Sequence, residues 1–138
     1  MRTIYYTLLK LREQEKREKH LRFAQAELRR QQNEDELLSS RRKLRESRTQ
    51  EAGTIGAMIV QDHLNMQRHL KIEEREKELK KQTKQVERLR EEMKQAQIEC
   101  KVMEKVISSL QQKEQKELDR KLDIINDEVA IMGWRRNR

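Results

Sequence analysis

Nine apolar residues between Leu79 and Leu110 fix what this chain can fold into: Leu79, Val86, Leu89, Met93, Ala96, Cys100, Met103, Ile107 and Leu110. From Val86 onward the steps between them are 3, 4, 3, 4, 3, 4, 3, and Leu79 lies seven before Val86 with polar Gln82 at the intervening step. This is the a/d seam of a coiled coil. The residues between seam positions are almost all Lys, Arg, Glu or Gln. A straight helix drifts against a seven-residue repeat, so supercoiling around a partner is what keeps such a stripe covered. A helix this polar elsewhere needs a second helix, from this chain or another.

Composition excludes a globular alternative. Aromatics are 3% and charged residues 42% of 138 residues, with one Trp, one Phe and two Tyr. That is too little bulk for a three-dimensional core. Proline is absent and Gly occurs three times, the profile of long helices. High charge alone would also fit disorder, but a disordered tract has no reason to hold strict 3–4 spacing.

Read in order, residues 3–50 form a first helix with a weak, interrupted seam. Ile4, Leu8 and Leu11 share a face, with Tyr5, Tyr6 and Leu9 beside them. Leu21, Ala24, Leu28 and Leu38 resume a stripe, while Leu37 and Leu44 form a seven-spaced pair one position out of phase. Gly53 and Gly56 lie in a break at about residues 51–57, where Gly readily ends a helix. A second helix covers about 58–132. Its stripe is interrupted at Glu114 and resumes at Leu118, Leu122, Ile125, Val129 and Met132. Gly133 reads as a stop, followed by a basic tail over 133–138.

Two helices around one Gly-bearing turn make an antiparallel two-helix coiled-coil hairpin, all-α, with the second helix longer than the first. At about 1.5 Å per residue the helices span roughly 70 and 110 Å. Folded at residues 53–56, position n meets about 109 minus n, so the first helix runs out near residue 108. The stripe beyond that point is left open, and open apolar seams mark binding surfaces.

Other chemistry finds no support. Cys100 sits in the seam and reads as a small packing residue, and a single Cys cannot close an intramolecular disulfide. His63 and His69 are six apart, on different sides of a helix, and His20 is alone, so no metal site is expected. Gly53, Thr54, Ile55 and Gly56 lack the Lys-Ser/Thr of a phosphate-binding loop. No carboxylate lies in an apolar setting that would tune it for catalysis. The chain is expected to be no enzyme, to hold no cofactor or metal, and to bind no small-molecule substrate. Apolar runs are far shorter than the roughly 20 residues a membrane helix needs, and the first residues show no apolar run of signal-peptide length and no small-residue cleavage site, so no secretory leader is expected. The chain reads as cytosolic and complete from Met1.

Two stretches carry a family resemblance. Leu8 to Glu15, with Leu8, Leu11, Arg12, Glu13 and Glu15 in place, resembles the opening Leu-x-x-Leu-Arg-Glu-x-Glu of the FliJ family. Met103, Glu104 and Lys105, followed by Glu114, Gln115, Lys116, Glu117, Leu118 and Asp119, resemble that family's closing pattern. The chain departs from it at Arg120, where an acidic residue is usual, and the tail from Val129 to Arg138 has no counterpart. FliJ-like proteins are small coiled-coil components of bacterial flagellar export, with related stalk proteins in virulence type III secretion. The resemblance implies a non-enzymatic stalk that enters the pore of the hexameric export ATPase. It further implies contact with the cytoplasmic region of the export-gate membrane protein, handling of export chaperones, and a place at the inner-membrane export apparatus. The family's gate-binding surface includes aromatic residues that are missing here, with only Leu64 in place, so that site is not carried over. Placed on the length arithmetic, the ring-facing residues are Leu8, Leu11, Arg12, Leu110, Gln115, Lys116, Glu117, Leu118, Asp119 and Leu122.

Two other readings stand beside this one. A generic scaffold or tether would be a parallel homodimer through residues 79–132, distinguished by a stable dimer in ultracentrifugation. A nucleic-acid-binding coiled coil would fit the net charge of +8, but Glu and Asp interrupt every basic patch, and no basic region is fused to a clean zipper. No nucleic acid partner is expected.

Overall fold

A computed structural model describes residues 2–49 and 53–137. All of them are helical except Gly53, Thr54 and Asn137. Helix α1 spans Arg2–Thr49 and helix α2 Ile55–Arg136. The two lie antiparallel: Arg12 meets Glu99, Lys19 meets Glu92, Asn33 meets Gln82 and Arg41 meets Glu76, one number rising as the other falls. The fold is the expected two-helix hairpin with the longer arm second. Residues 50–52 of the expected turn lie outside the described residues.

The helix boundaries differ from the sequence reading in two places. Helix α2 starts at Ile55 because Thr54 caps it: the Thr54 hydroxyl accepts from the Ala57 N–H at 3.1 Å, and the Met58 N–H donates to the Thr54 carbonyl at 2.9 Å. Gly56 therefore sits inside the first turn, where the backbone N–H has no helical partner and a Gly costs little. Gly133 does not stop the helix. It ends one only by taking a left-handed conformation, and no described Gly has positive φ. The Asn137 N–H still donates to the Gly133 carbonyl at 3.3 Å, so most of the expected basic tail is helical.

The chain divides into two compact units, residues 16–95 and residues 1–15 with 96–138. In the first, the core is Leu37, Leu44 and Ile72, with Leu79 packed against them. Val86 and Leu89 are buried as well. Each such side chain contributes about 1.5–3 kcal/mol relative to exposure. In the second, Ala96, Cys100 and Ile107 are buried, and Met103 and Leu110 are half-buried.

The inward face of α1 corrects the sequence reading. The expected stripe of Ile4, Leu8, Leu11, Leu21, Leu28 and Leu38 is exposed, as is Ala24. The covered ladder is Tyr5, Leu9, Arg12, Lys16, Lys19, Phe23, Ala26, Arg30, Asn33, Leu37, Ser40, Leu44 and Ser47. Its steps alternate 4 and 3 without a break, which is a full heptad series. Leu37 and Leu44, set aside as out of phase, are 3% and 7% exposed and fix the register. The polar members hid the pattern. They tolerate seam positions because long side chains lay their stems on apolar surface and send their heads to the rim. Arg12 reaches Glu99 at 2.9 Å and Lys19 reaches Glu92 at 3.1 Å.

Candidate functional site

The surface that the hairpin leaves open is set by where α1 begins. In the unit of residues 1–15 and 96–138, Gln111 donates to the Tyr6 hydroxyl at 2.6 Å. Tyr5, Tyr6, Ile107, Leu110 and Gln111 gather around this last covered layer. The pairing thus reaches about three residues further than the length arithmetic gives, and Leu110 belongs to the closed part of the pair. From Gln111 to Asn137 every described residue is exposed.

This 27-residue stretch of α2 (111–137) is far from uniformly polar. Leu118, Leu122, Ile125, Val129 and Met132 step by 4, 3, 4, 3 along one side, and each is more than half exposed. Glu114 stands four before Leu118 and four after Leu110, so three steps of four follow one another from Leu110 to Leu122. Such an insertion into a heptad pattern locally unwinds a supercoil. It marks where the intramolecular partner ends and an unsupported helix begins.

Leu110 aside, which is half-buried in the closed part of the pair, the residues assigned to the ring from sequence separate into three groups. Leu118 and Leu122 are on the open stripe. Gln115, Lys116, Glu117 and Asp119 are exposed around it. Within this group Gln115 donates to Asp119 at 3.0 Å, and Lys121 pairs with Glu117 at 4.0 Å. Leu8 and Leu11 are exposed on the outer face of α1, whereas Arg12 is engaged by Glu15 and Glu99 inside the hairpin. Among the described residues no hydrogen bond or ion pair joins Leu8, Leu11 or Arg12 to residues 115–122. The seam residues lie where two helices need them. Val86, Leu89, Ala96, Cys100 and Ile107 are buried, and Leu79, Met93 and Met103 are half-buried.

Sequence reasoning missed two further exposed groups. Ile98 and Val102, on the side of α2 turned away from its seam, and Val106, at the seam's edge, recur every four residues and are exposed; the signal was the spacing of four, masked by the stronger 3–4 series beside it. Ile55, Met58, Ile59, Met66 and Leu70 follow the cap at Thr54 and are all exposed.

Two carboxyls of the hairpin are shifted by arginine. The Arg30 hydrogen bond holds the Glu27 carboxyl below its usual range, and the Arg41 hydrogen bond does the same for Glu76. Both are rim ion pairs of the hairpin. Among the described residues no three His, Cys, Asp or Glu side chains gather to hold a metal. His69 pairs with Glu73 on its own helix and His63 lies beside Gln67. Cys100 is 1% exposed, its thiol directed at Glu104 at 3.8 Å. No described helix is long and apolar enough to cross a membrane.

Comparison with known proteins gives one match. The family model described as flagellar FliJ protein covers residues 2–138. No curated protein and no solved structure matches.

Proposed function

This chain belongs to the FliJ family, and so is a component of the flagellar export apparatus; from that premise we propose that it is the non-enzymatic stalk of the hexameric export ATPase. The observation that carries the reading is the open stripe: Leu118, Leu122, Ile125, Val129 and Met132 are exposed on a helix that has outrun its partner. A monomer that displays five apolar side chains in register gains from covering them, since each stabilises its buried state by about 1.5–3 kcal/mol.

The mechanism is mechanical and electrostatic. The single helix that carries the stripe, about 10–12 Å wide, and the helix pair of about 20 Å behind it fit the central pore of a ring. Lys113, Lys116 and Arg120 lie on the other side of the same helix and supply cations for acidic pore loops. The hairpin then transmits position between the ring and the cytoplasmic part of the membrane export gate, without forming or breaking a bond. Export chaperones are the further partners this reading admits, and it places the protein peripherally at the inner membrane. Its test is reconstitution with the export ATPase of the same organism. Wild type should bind the ring and alter ATP turnover; Leu118→Asp and Leu122→Asp should lose both by tenfold or more, while Leu28→Asp, on the outer face of α1, should retain them. Equal coupling by all four proteins would overturn the assignment.

A further inference from the structure

We propose that, in the absence of a ring, the open stripe is covered by the same stripe of a second copy, in an antiparallel two-fold dimer. This inference uses the surface assigned above but does not depend on what else docks there. A column of charge lies beside the stripe. Glu114, Lys121, Glu128 and Arg135 recur every seven residues, so they line one edge of it, and their signs alternate.

In an antiparallel pair this edge faces its own copy. Centring the pairing at Ile125 brings together residues whose numbers sum to about 250, which on this edge are Glu114 with Arg135, and Lys121 with Glu128. By symmetry each contact is made twice, giving four attractive pairs and no repulsive one. The same alignment sets Leu118 against Met132, Leu122 against Val129, and Ile125 against its own copy. On the opposite edge stand Asp119, Asn126 and Gly133; Asn126 meets itself and Asp119 meets a glycine.

A parallel dimer fails the same check. There, each edge residue faces the copy five positions on: Glu114 meets Asp119, Lys121 meets Asn126, and Glu128 meets Gly133. One contact is repulsive and none attractive. The alternation of sign therefore selects the antiparallel arrangement. The overlap is short, about 35 Å of helix, and buries an area near the lower limit of specific interfaces. Such a small interface leaves room for a stronger partner to displace the copy.

Analytical ultracentrifugation between about 1 µM and 1 mM tests this. Wild type should pass from monomer to dimer across that range. Glu128→Lys turns two Lys–Glu contacts repulsive and should weaken dimerisation about tenfold. Adding Lys121→Glu to it restores opposite signs and should recover the wild-type constant. Circular dichroism should show all variants equally helical. For orientation, Leu118→Cys and Met132→Cys chains, each also carrying Cys100→Ser, are mixed and oxidised. The antiparallel pair should give the mixed 118–132 disulfide in excess over 118–118. A monomer throughout, a double variant no better than Glu128→Lys, or a dominant 118–118 product would overturn the proposal.

Discussion

The Asn33 side-chain amide donates to the Gln82 side-chain carbonyl at 2.6 Å, joining two half-buried positions that face each other across the seam. Each belongs to the heptad ladder of its own helix. A shift of either helix by one heptad would set Asn33 against Leu89 or Arg75, and Gln82 against Ser40 or Ala26. The pair therefore holds the register of a hairpin whose first helix has few apolar seam residues, at some cost in stability. Replacing both by Leu should raise the melting temperature by several degrees, since apolar pairs at seam positions are the more stable. It should also permit shifted pairings, detectable as extra disulfide products between Cys residues placed along the two arms.

The Leu37 and Leu38 pair separates the two stripes of α1 within two adjacent residues. Leu37→Ala or Leu44→Ala should destabilise the hairpin by about 2 kcal/mol, because each removes buried side-chain contacts. Leu38→Ala and Leu28→Ala should cost less than about 0.5 kcal/mol, as exposed helix positions do. Denaturant melts of the four variants measure this, and equal losses would argue against the ladder described here.

That contrast also shows how much of the molecule was legible beforehand. The α2 seam declared itself, because its members from Val86 to Ile107 are apolar at nearly every step. The α1 seam did not, because Arg12, Lys16, Lys19, Arg30 and Asn33 occupy it. Counting apolar residues picked Leu21, Leu28 and Leu38 instead, which are more than half exposed. The register is a property of the pair: Arg12 and Lys19 become acceptable only because Glu99 and Glu92 stand opposite. The open stripe after Gln111 followed from helix lengths alone, within about three residues. The ends of α2 did not follow, since Gly56 and Gly133 keep helical geometry when a cap precedes or no turn is demanded.

Acid should loosen the hairpin before it melts the helices. The Arg41 guanidinium lowers the Glu76 carboxyl below its ordinary 4.5, and Arg30 does the same to Glu27. A carboxyl depressed on folding contributes stability that is present above the unfolded value and lost as pH falls through the folded one. The contribution should thus be intact near neutrality and decline below about pH 4.5. The contact of Arg41 with Glu76 crosses the hairpin, whereas that of Arg30 with Glu27 stays within α1. Glu76→Gln should therefore flatten the dependence of melting temperature on acid, and high salt should shrink the effect in wild type.

Gly133 offers a direct check on the helical end of α2. An added methyl group would meet nothing within 4 Å, and the residue keeps helical geometry. Gly133→Ala should stabilise the last turns by about 1 kcal/mol, read as slower amide exchange from residue 129 onward. Unchanged exchange would mean that these turns are not helical in solution.

The account rests on the stretch from Leu118 to Met132 being open in the isolated chain and covered in the assembly. Hydrogen exchange below about 1 µM, where self-association is negligible, measures that most directly. On addition of the export ATPase hexamer, amides of residues 118–132 should become strongly protected, while those around Leu37, Leu44 and Ile72 stay as they were. Protection confined to residues 55–70, or none along 118–132, would contradict it.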